Sequence, residues 1–187
     1  MMRALGNFQE RNFGLALAAA SAFLRSAGLE PLEPGEILAA ARQTEIPGRL
    51  QIVDRDPLTL YDGAHNPAGA TALAESLPAV IGERPLTAVM SVLDDKDVSP
   101  MLAALAPAVQ RAVFTRCANP RALSPATLES LWAKVSDAPA EIVAEPRAAV
   151  ARAREAAGRD GAVLATGSIY LIADLVRHLG AAKASTL

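Results

Sequence analysis

The residues of this chain best placed to do chemistry fall in one run, Tyr61-Asp62-Gly63-Ala64-His65-Asn66-Pro67, directly after the strand-like Leu58-Thr59-Leu60. Asn66 is a preferred N-cap and Pro67 a preferred first helical residue, so a helix is predicted to start there. Asp62 and His65 are then held at a strand end beside a helix N-terminus, with Gly63 expected to give a tight turn. A carboxylate in that place can accept from two donors at once, which suits the paired hydroxyls of a ribose. The plain alternative is that Asp62 caps a turn and His65 is a surface imidazole.

Four further segments carry polar groups at predicted strand or helix boundaries. In Leu93-Asp94-Asp95-Lys96-Asp97, Lys96 can bind a carboxylate or phosphate, or it can be one charge of a solvated loop. In Ala165-Thr166-Gly167-Ser168, Ser168 opens a helix and can hold an anion with its hydroxyl, or it is simply an N-cap. In Pro47-Gly48-Arg49, Arg49 can clamp a phosphate bidentately, or it is a surface arginine after a turn. Asn12, on the first predicted helix, has the donor and acceptor needed for an adenine edge. Arg116 and Arg121 follow a predicted strand end and read as part of a solvated loop, although they can face the same cleft. His178 suits the last turn of a helix, and Trp132 reads as a core or interface residue.

Composition excludes several classes. The 187 residues carry 18 Lys and Arg against 20 Asp and Glu, without the basic run that a nucleic-acid backbone demands. One cysteine, Cys117, and two histidines rule out an internal disulfide framework and disfavour a zinc site. The apolar stretch Phe13 to Leu24 is too short to cross a bilayer and lacks a cleavage pattern after it, so no membrane association is expected and the cytoplasm is the expected compartment. Neither a G-x-x-x-x-G-K-[ST] phosphate loop nor a G-x-G-x-x-G fingerprint occurs. Any ATP bound here would need its main phosphate cradle from elsewhere.

The elements that must position these residues follow from periodicity. Phe13, Leu17, Ala20 and Leu24 share one face of a helix predicted over 8–27 and ended by Gly28; Pro34 opens a second, shorter one over 35–43. Pro47-Gly48 breaks the pattern and marks a boundary. Beyond it, strands predicted near 50–53, 58–61, 86–92, 111–115, 140–143 and 162–166 alternate with helices near 67–78, 100–106, 125–134, 146–157 and 169–179, with Ser99-Pro100 opening the second of these helices. This predicts an α/β, Rossmann-like fold: a mostly parallel sheet with helices on both faces, preceded by a short helical segment. Ligands of such sheets lie at the carboxyl ends of the strands, where the motifs at Asp62, Lys96 and Ser168 fall; Pro47-Gly48-Arg49 lies at the boundary before the first strand.

Taken together, Gly6-Asn7-Phe8-Gln9-Glu10-Arg11-Asn12, Pro47-Gly48-Arg49-Leu50, Asp62 to Pro67, Asp95-Lys96-Asp97 and Gly167 to Ala173 resemble, in this order, the C-terminal portion of the folylpolyglutamate synthase/dihydrofolate synthase family of the Mur ligase superfamily. The resemblance implies an ATP-dependent ligase that turns a substrate carboxylate into an acyl phosphate and lets the amine of L-glutamate displace the phosphate. Folate or dihydropteroate is the implied acceptor, and ATP and Mg2+ are the implied cofactors. It further implies that residues 1–46 are the helical tail of a central ATPase domain and residues 47–187 the smaller Rossmann-like domain that closes over the nucleotide. The phosphate loop, the magnesium ligands, a modified lysine and most of the folate pocket would lie in that ATPase domain, so this chain by itself is expected to be inactive.

Residue by residue, the resemblance gives ATP-binding roles to Asn12 (adenine), Arg49 (phosphates) and Asp62 (ribose). It places His65, Lys96 and Ser168 near the incoming glutamate, His65 being the one candidate for a catalytic part. The family usually has histidine where Phe8 stands. Two other readings remain: a stand-alone nucleotide-binding module without catalysis, and a different Mur-type amino-acid ligase.

Overall fold

The computed structural model describes residues 3–177; His178 and the predicted helix end beyond Arg177 lie outside them. Two helices, α1 (Asn7–Ser26) and α2 (Pro34–Gln43), come first. The rest is strand and helix in alternation: β1 (Gln51–Arg55), β2 (Leu58–Tyr61), α3 (Pro67–Ile81), β3 (Leu86–Met90), α4 (Val98–Leu105), β4 (Arg111–Phe114), α5 (Pro125–Trp132), β5 (Ala140–Ile142), α6 (Pro146–Ala157), β6 (Ala162–Thr166) and α7 (Ile169–Val176).

The strands form one sheet in the order β1-β2-β6-β3-β4-β5. β1 is antiparallel to β2, with a shift of register between Ile52 and Asp54; every other neighbouring pair is parallel. Side chains alternate across the sheet as the pleat requires. Leu60, Ala88, Met90, Ala112, Phe114 and Leu164 pack under α3, α4 and α5, while Val89, Val113, Val163 and Ala165 pack under α6 and α7. Strands buried on both faces explain why β3 and β6 read as almost wholly apolar runs, interrupted only by Thr87 and Thr166. Trp132 belongs to the first layer, where it meets Phe114 edge-on at 6.1 Å and donates its Nε1–H to Ala138 O at 2.9 Å.

The predicted α/β order and the mostly parallel sheet hold, and the departures sit at element ends. β3 stops at Met90 rather than near residue 92: the Ser91 N–H still bonds Thr166 O of β6, but Val92 O accepts the N–H of Leu123 from the segment after β4 instead of a strand neighbour. α4 starts at Val98, two residues before the predicted opening. Pro100 therefore lies inside the first turn, where backbone N–H groups have no intrahelical partner and a proline costs little. α3 runs three residues past Pro78 to bury Ile81 and ends on Gly82 at φ +61°.

The predicted stripe of α1 faces α2: Phe13, Leu17 and Ala20 line an apolar groove closed by Leu32 and Ile37. Elsewhere the pair is thinly covered. Leu15 is 70% exposed and Phe23 65%, and Gln9 is the sole buried residue of α1.

Leu77, fully buried in α3, is the position to test the layered core. Leu77→Ala is expected to cost ~2–5 kcal/mol, whereas Phe23→Ala on the open face of α1 should stay within ~0.5 kcal/mol; urea denaturation of both variants checks the contrast.

Candidate functional site

The turn that joins the helical segment to the sheet is held by a single carboxylate. Asp62 is 2% exposed. Its Oδ2 accepts the N–H of Leu50 at 2.8 Å, and its Oδ1 accepts the N–H of Ala64 at 2.7 Å. Leu50 sits at φ +42°, the one non-glycine residue described with a left-handed backbone. That conformation costs ~1–2 kcal/mol in an L-residue, offset by the bond to Asp62 and by full burial of the Leu50 side chain. Gly48, at φ +68°, makes the turn ahead of it and accepts the N–H of Gly63 at 2.8 Å. Burial pushes the Asp62 carboxyl above its usual range, while the two N–H donors, Arg49 and His65 pull the other way.

Gly63 does not have the positive φ that a tight turn would need. Its requirement is space. A Cβ there would lie 2.9 Å from Ile169 Cγ2 and 3.0 Å from Arg49 Nη1, so only glycine lets the guanidinium lie against the loop. His65 Nδ1 lies 2.9 Å from Gly63 O. The Nδ1–H tautomer makes this bond and leaves Nε2 as an acceptor. Asn66 caps α3 as predicted, accepting the Gly69 N–H at 2.8 Å ahead of Pro67.

These groups converge on a cavity of about 410 Å³, within the usual range for a small ligand. Asn12 comes to it from α1, Arg49 from the turn, and Asp62 and His65 from the carboxyl end of β2. Four of the six sequence-predicted residues thus share one wall-to-wall space. Asn12 Nδ2 donates to Gln9 Oε1 at 3.2 Å, and Gln9 is 2% exposed. Gln9 and Phe8 also line the cavity. Sequence reasoning passed over Gln9 because a glutamine on a helix reads as a solvated residue until something covers it.

Lys96 and Ser168 do not line this cavity. Lys96 Nζ lies 3.0 Å from Asp95 Oδ2, an oxygen also held by Arg121 at 3.2 Å. Ser168 is 1% exposed and caps α7, its Oγ accepting the Tyr170 N–H at 3.1 Å. Both occupy the carboxyl edge of the sheet, on the loops after β3 and β6. Among the described residues no three His, Cys, Asp or Glu side chains gather as a metal site, and no helix is long and apolar enough to cross a membrane.

Comparison with known proteins fits this geometry. Residues 48–169, well over half of the chain, match the family described as Mur ligase, glutamate ligase domain. The chain belongs to that family. Among curated relatives, the dihydrofolate synthase/folylpolyglutamate synthase of Mycobacterium tuberculosis is 42% identical over 118 residues, 63% of this chain and 24% of that protein. The folylpolyglutamate synthase of Lacticaseibacillus casei is 30% identical over 169 residues, 89% of this chain and 37% of that protein. Among solved structures, Mycobacterium tuberculosis folylpolyglutamate synthase complexed with ADP and AMPPCP superposes with a TM-score of 0.86 at 33% identity, covering 96% of this chain and 42% of that one. The domain therefore corresponds to the C-terminal portion of folylpolyglutamate/dihydrofolate synthases, and it spans from 24% to 42% of the length of these relatives.

Asp62→Asn tests the clamp. An amide offers one acceptor oxygen, so one of the two buried N–H groups loses its partner, at ~1–3 kcal/mol. The pH dependence has a definite sign. Because the folded Asp62 pKa lies above its ordinary value of 3.8, the folded state holds the proton more tightly than the unfolded chain. The stabilisation linked to that proton is therefore full below pH 3.8 and is lost as pH rises through the raised value. Other carboxyls with lowered pKa values slope the opposite way, so the check is the difference between the two proteins: in urea denaturation the stability of the wild type relative to Asp62→Asn should fall from acidic to neutral pH.

Proposed function

We propose that this chain is the nucleotide-closing, glutamate-handling part of an ATP-dependent ligase that adds L-glutamate to folate or to dihydropteroate. The observation that carries the reading is the convergence of Asn12, Arg49, Asp62 and His65 from three separate segments on one ligand-sized cavity. The family match and the nucleotide-bound relative support it.

Each residue has a role its chemistry can perform. Asn12, its carboxamide braced by Gln9, reads an adenine edge. Arg49 offers a guanidinium fork to the phosphates. Asp62 spends one lone pair of each oxygen on the backbone clamp, and the remaining acceptor capacity suits ribose hydroxyls. His65, with Nε2 unengaged by its bond to Gly63, lies between the nucleotide and the incoming glutamate. Lys96 and Ser168, on neighbouring loops of the same sheet edge, would orient the glutamate carboxylates.

The acceptor carboxylate oxygen attacks the γ-phosphorus of ATP, forming an acyl phosphate and releasing ADP. The glutamate amine then attacks the acyl carbon, phosphate leaves, and the amine loses a proton. Mg2+, which the resemblance implies, would neutralise phosphate charge; its ligands and the phosphate loop are assigned to a preceding ATPase domain of which residues 1–46 are the tail.

Two outcomes test this. Arg49→Ala and Asn12→Ala should each weaken ADP binding by ~10-fold or more, read by calorimetry, with the urea midpoint of the fold unchanged. In ligase assays the chain by itself should be silent with ATP, magnesium and a reduced folate, and supplying the upstream ATPase domain should restore glutamate transfer. Silence in both arrangements, with both parts folded, would favour a nucleotide-binding module without catalysis.

A further inference from the structure

Open α/β sheets take their ligands where the loops after neighbouring strands part toward opposite faces. That happens between β2 and β6, which lead to α3 on one face and α7 on the other, beside the cavity already described. It happens again between β4 and β5, which lead to α5 on the first face and α6 on the second. A polar hollow of about 300 Å³ lies at this second crevice, at the lower end of the range for small-molecule sites. None of the roles above uses it. Three arginines enter it from three elements: Arg116 from the loop after β4, Arg147 from the first turn of α6, and Arg177 from the end of α7.

Two carboxylates face the arginines, and both are anchored. Asp174 Oδ2 accepts the Ala118 N–H at 2.7 Å, and its Oδ1 lies 3.7 Å from Arg177. Glu145 Oε2 accepts the Ala148 N–H at 2.6 Å. The N–H groups of Ala148 and Arg147 hold the Glu145 carboxyl below its usual range, so at neutral pH it is an acceptor only. Both carboxylates keep lone pairs beyond these bonds. Arg147 commits Nη2 to the Asp174 main-chain oxygen at 3.1 Å, and Arg116 forms no ion pair among the described residues. Three guanidinium groups against two carboxylates leave one positive charge over.

This lining selects among anions. A carboxylate is planar, and one guanidinium fork satisfies both its oxygens; a phosphate monoester is tetrahedral, with three terminal oxygens that suit donors arriving from three directions. Neither an aromatic ring nor an amide side chain lines the hollow to hold a base, and its uncharged members are Ala118 and Pro146. The acceptors at its wall suit hydroxyl groups. We propose that Arg116, Arg147 and Arg177 grip the phosphate of a small sugar phosphate, whose hydroxyls donate to Glu145 and Asp174. This site is separate from the nucleotide cavity, with which it shares no lining residue, and it stands independently of the ligase reading.

The test titrates glucose 6-phosphate, glucose and inorganic phosphate separately into the 187-residue chain, read by calorimetry. Glucose 6-phosphate is expected to bind with a Kd of about 1 mM or below, inorganic phosphate more weakly, and glucose not measurably. Arg116→Ala/Arg147→Ala should weaken glucose 6-phosphate binding by about tenfold or more, and Arg116→Lys/Arg147→Lys should recover part of the loss. Glu145→Gln, which keeps an oxygen for the α6 cap, should weaken glucose 6-phosphate and leave inorganic phosphate no weaker. Arg49→Ala, in the other cavity, should change neither. Absence of glucose 6-phosphate binding overturns the proposal, as does equal binding by wild type and the double alanine variant. Inorganic phosphate bound as tightly as glucose 6-phosphate overturns it too, and so does a loss in Arg49→Ala as large as in the double variant. Circular dichroism checks that the double variant is folded; if it is not, Arg177→Ala, at an exposed helix end, carries the same comparison.

Discussion

The candidate site depends on one buried carboxylate that is spent on the backbone. Asp62 bonds the N–H of Leu50 with one oxygen and that of Ala64 with the other. Those two contacts tie a left-handed turn to the loop at the end of β2, and the loop and turn carry Arg49 and His65 into the same cavity. Removing water from a carboxylate is costly, and two short N–H bonds with a guanidinium nearby return only part of that cost, which is why the group's pKa lies high. A buried acid that destabilises its own ionised form, yet fixes two backbone segments, exchanges stability for geometry.

Glycine completes the arrangement by its absence of bulk. At Gly63 a methyl group would press on Ile169 and on the Arg49 guanidinium, and at Gly167 it would come within 2.7 Å of Ser91 O. The first contact sets the start of α7 against Arg49; the second seats the α7 turn on the end of β3. Close approach is what Gly63 demands, whereas Gly167 combines close approach with a left-handed backbone at φ +98°.

Much of this was legible in the sequence. Short β-rich runs alternating with helical ones mark the strands, and the Asn66-Pro67 and Ser168 signals mark two helix starts to the residue, because capping is chemistry between neighbours in the chain. The Asp62 loop and the Arg49 turn read as polar groups at element ends, and they meet in the fold. Other features were hidden for physical reasons. The bond between Asp62 and Leu50 joins residues in different segments, and nothing local in either shows it. Gln9 owes its burial to what packs over α1, and Arg147 meets Arg177 only through the placing of α6 beside α7. The start of α4 was misplaced because Pro100 mimics a first helical residue when it stands two places further in.

The cavity has walls of unequal standing. Arg49, Asp62 and His65 are fixed to the sheet through the clamp, whereas Asn12 stands on a helix whose outer face is almost bare. A ligand that touches both walls is thereby a mechanical fastener: it adds binding free energy only when α1 lies close, so occupancy and the seating of α1 are thermodynamically linked. Any ligand seated against both walls would act as the bolt that holds the enclosure shut.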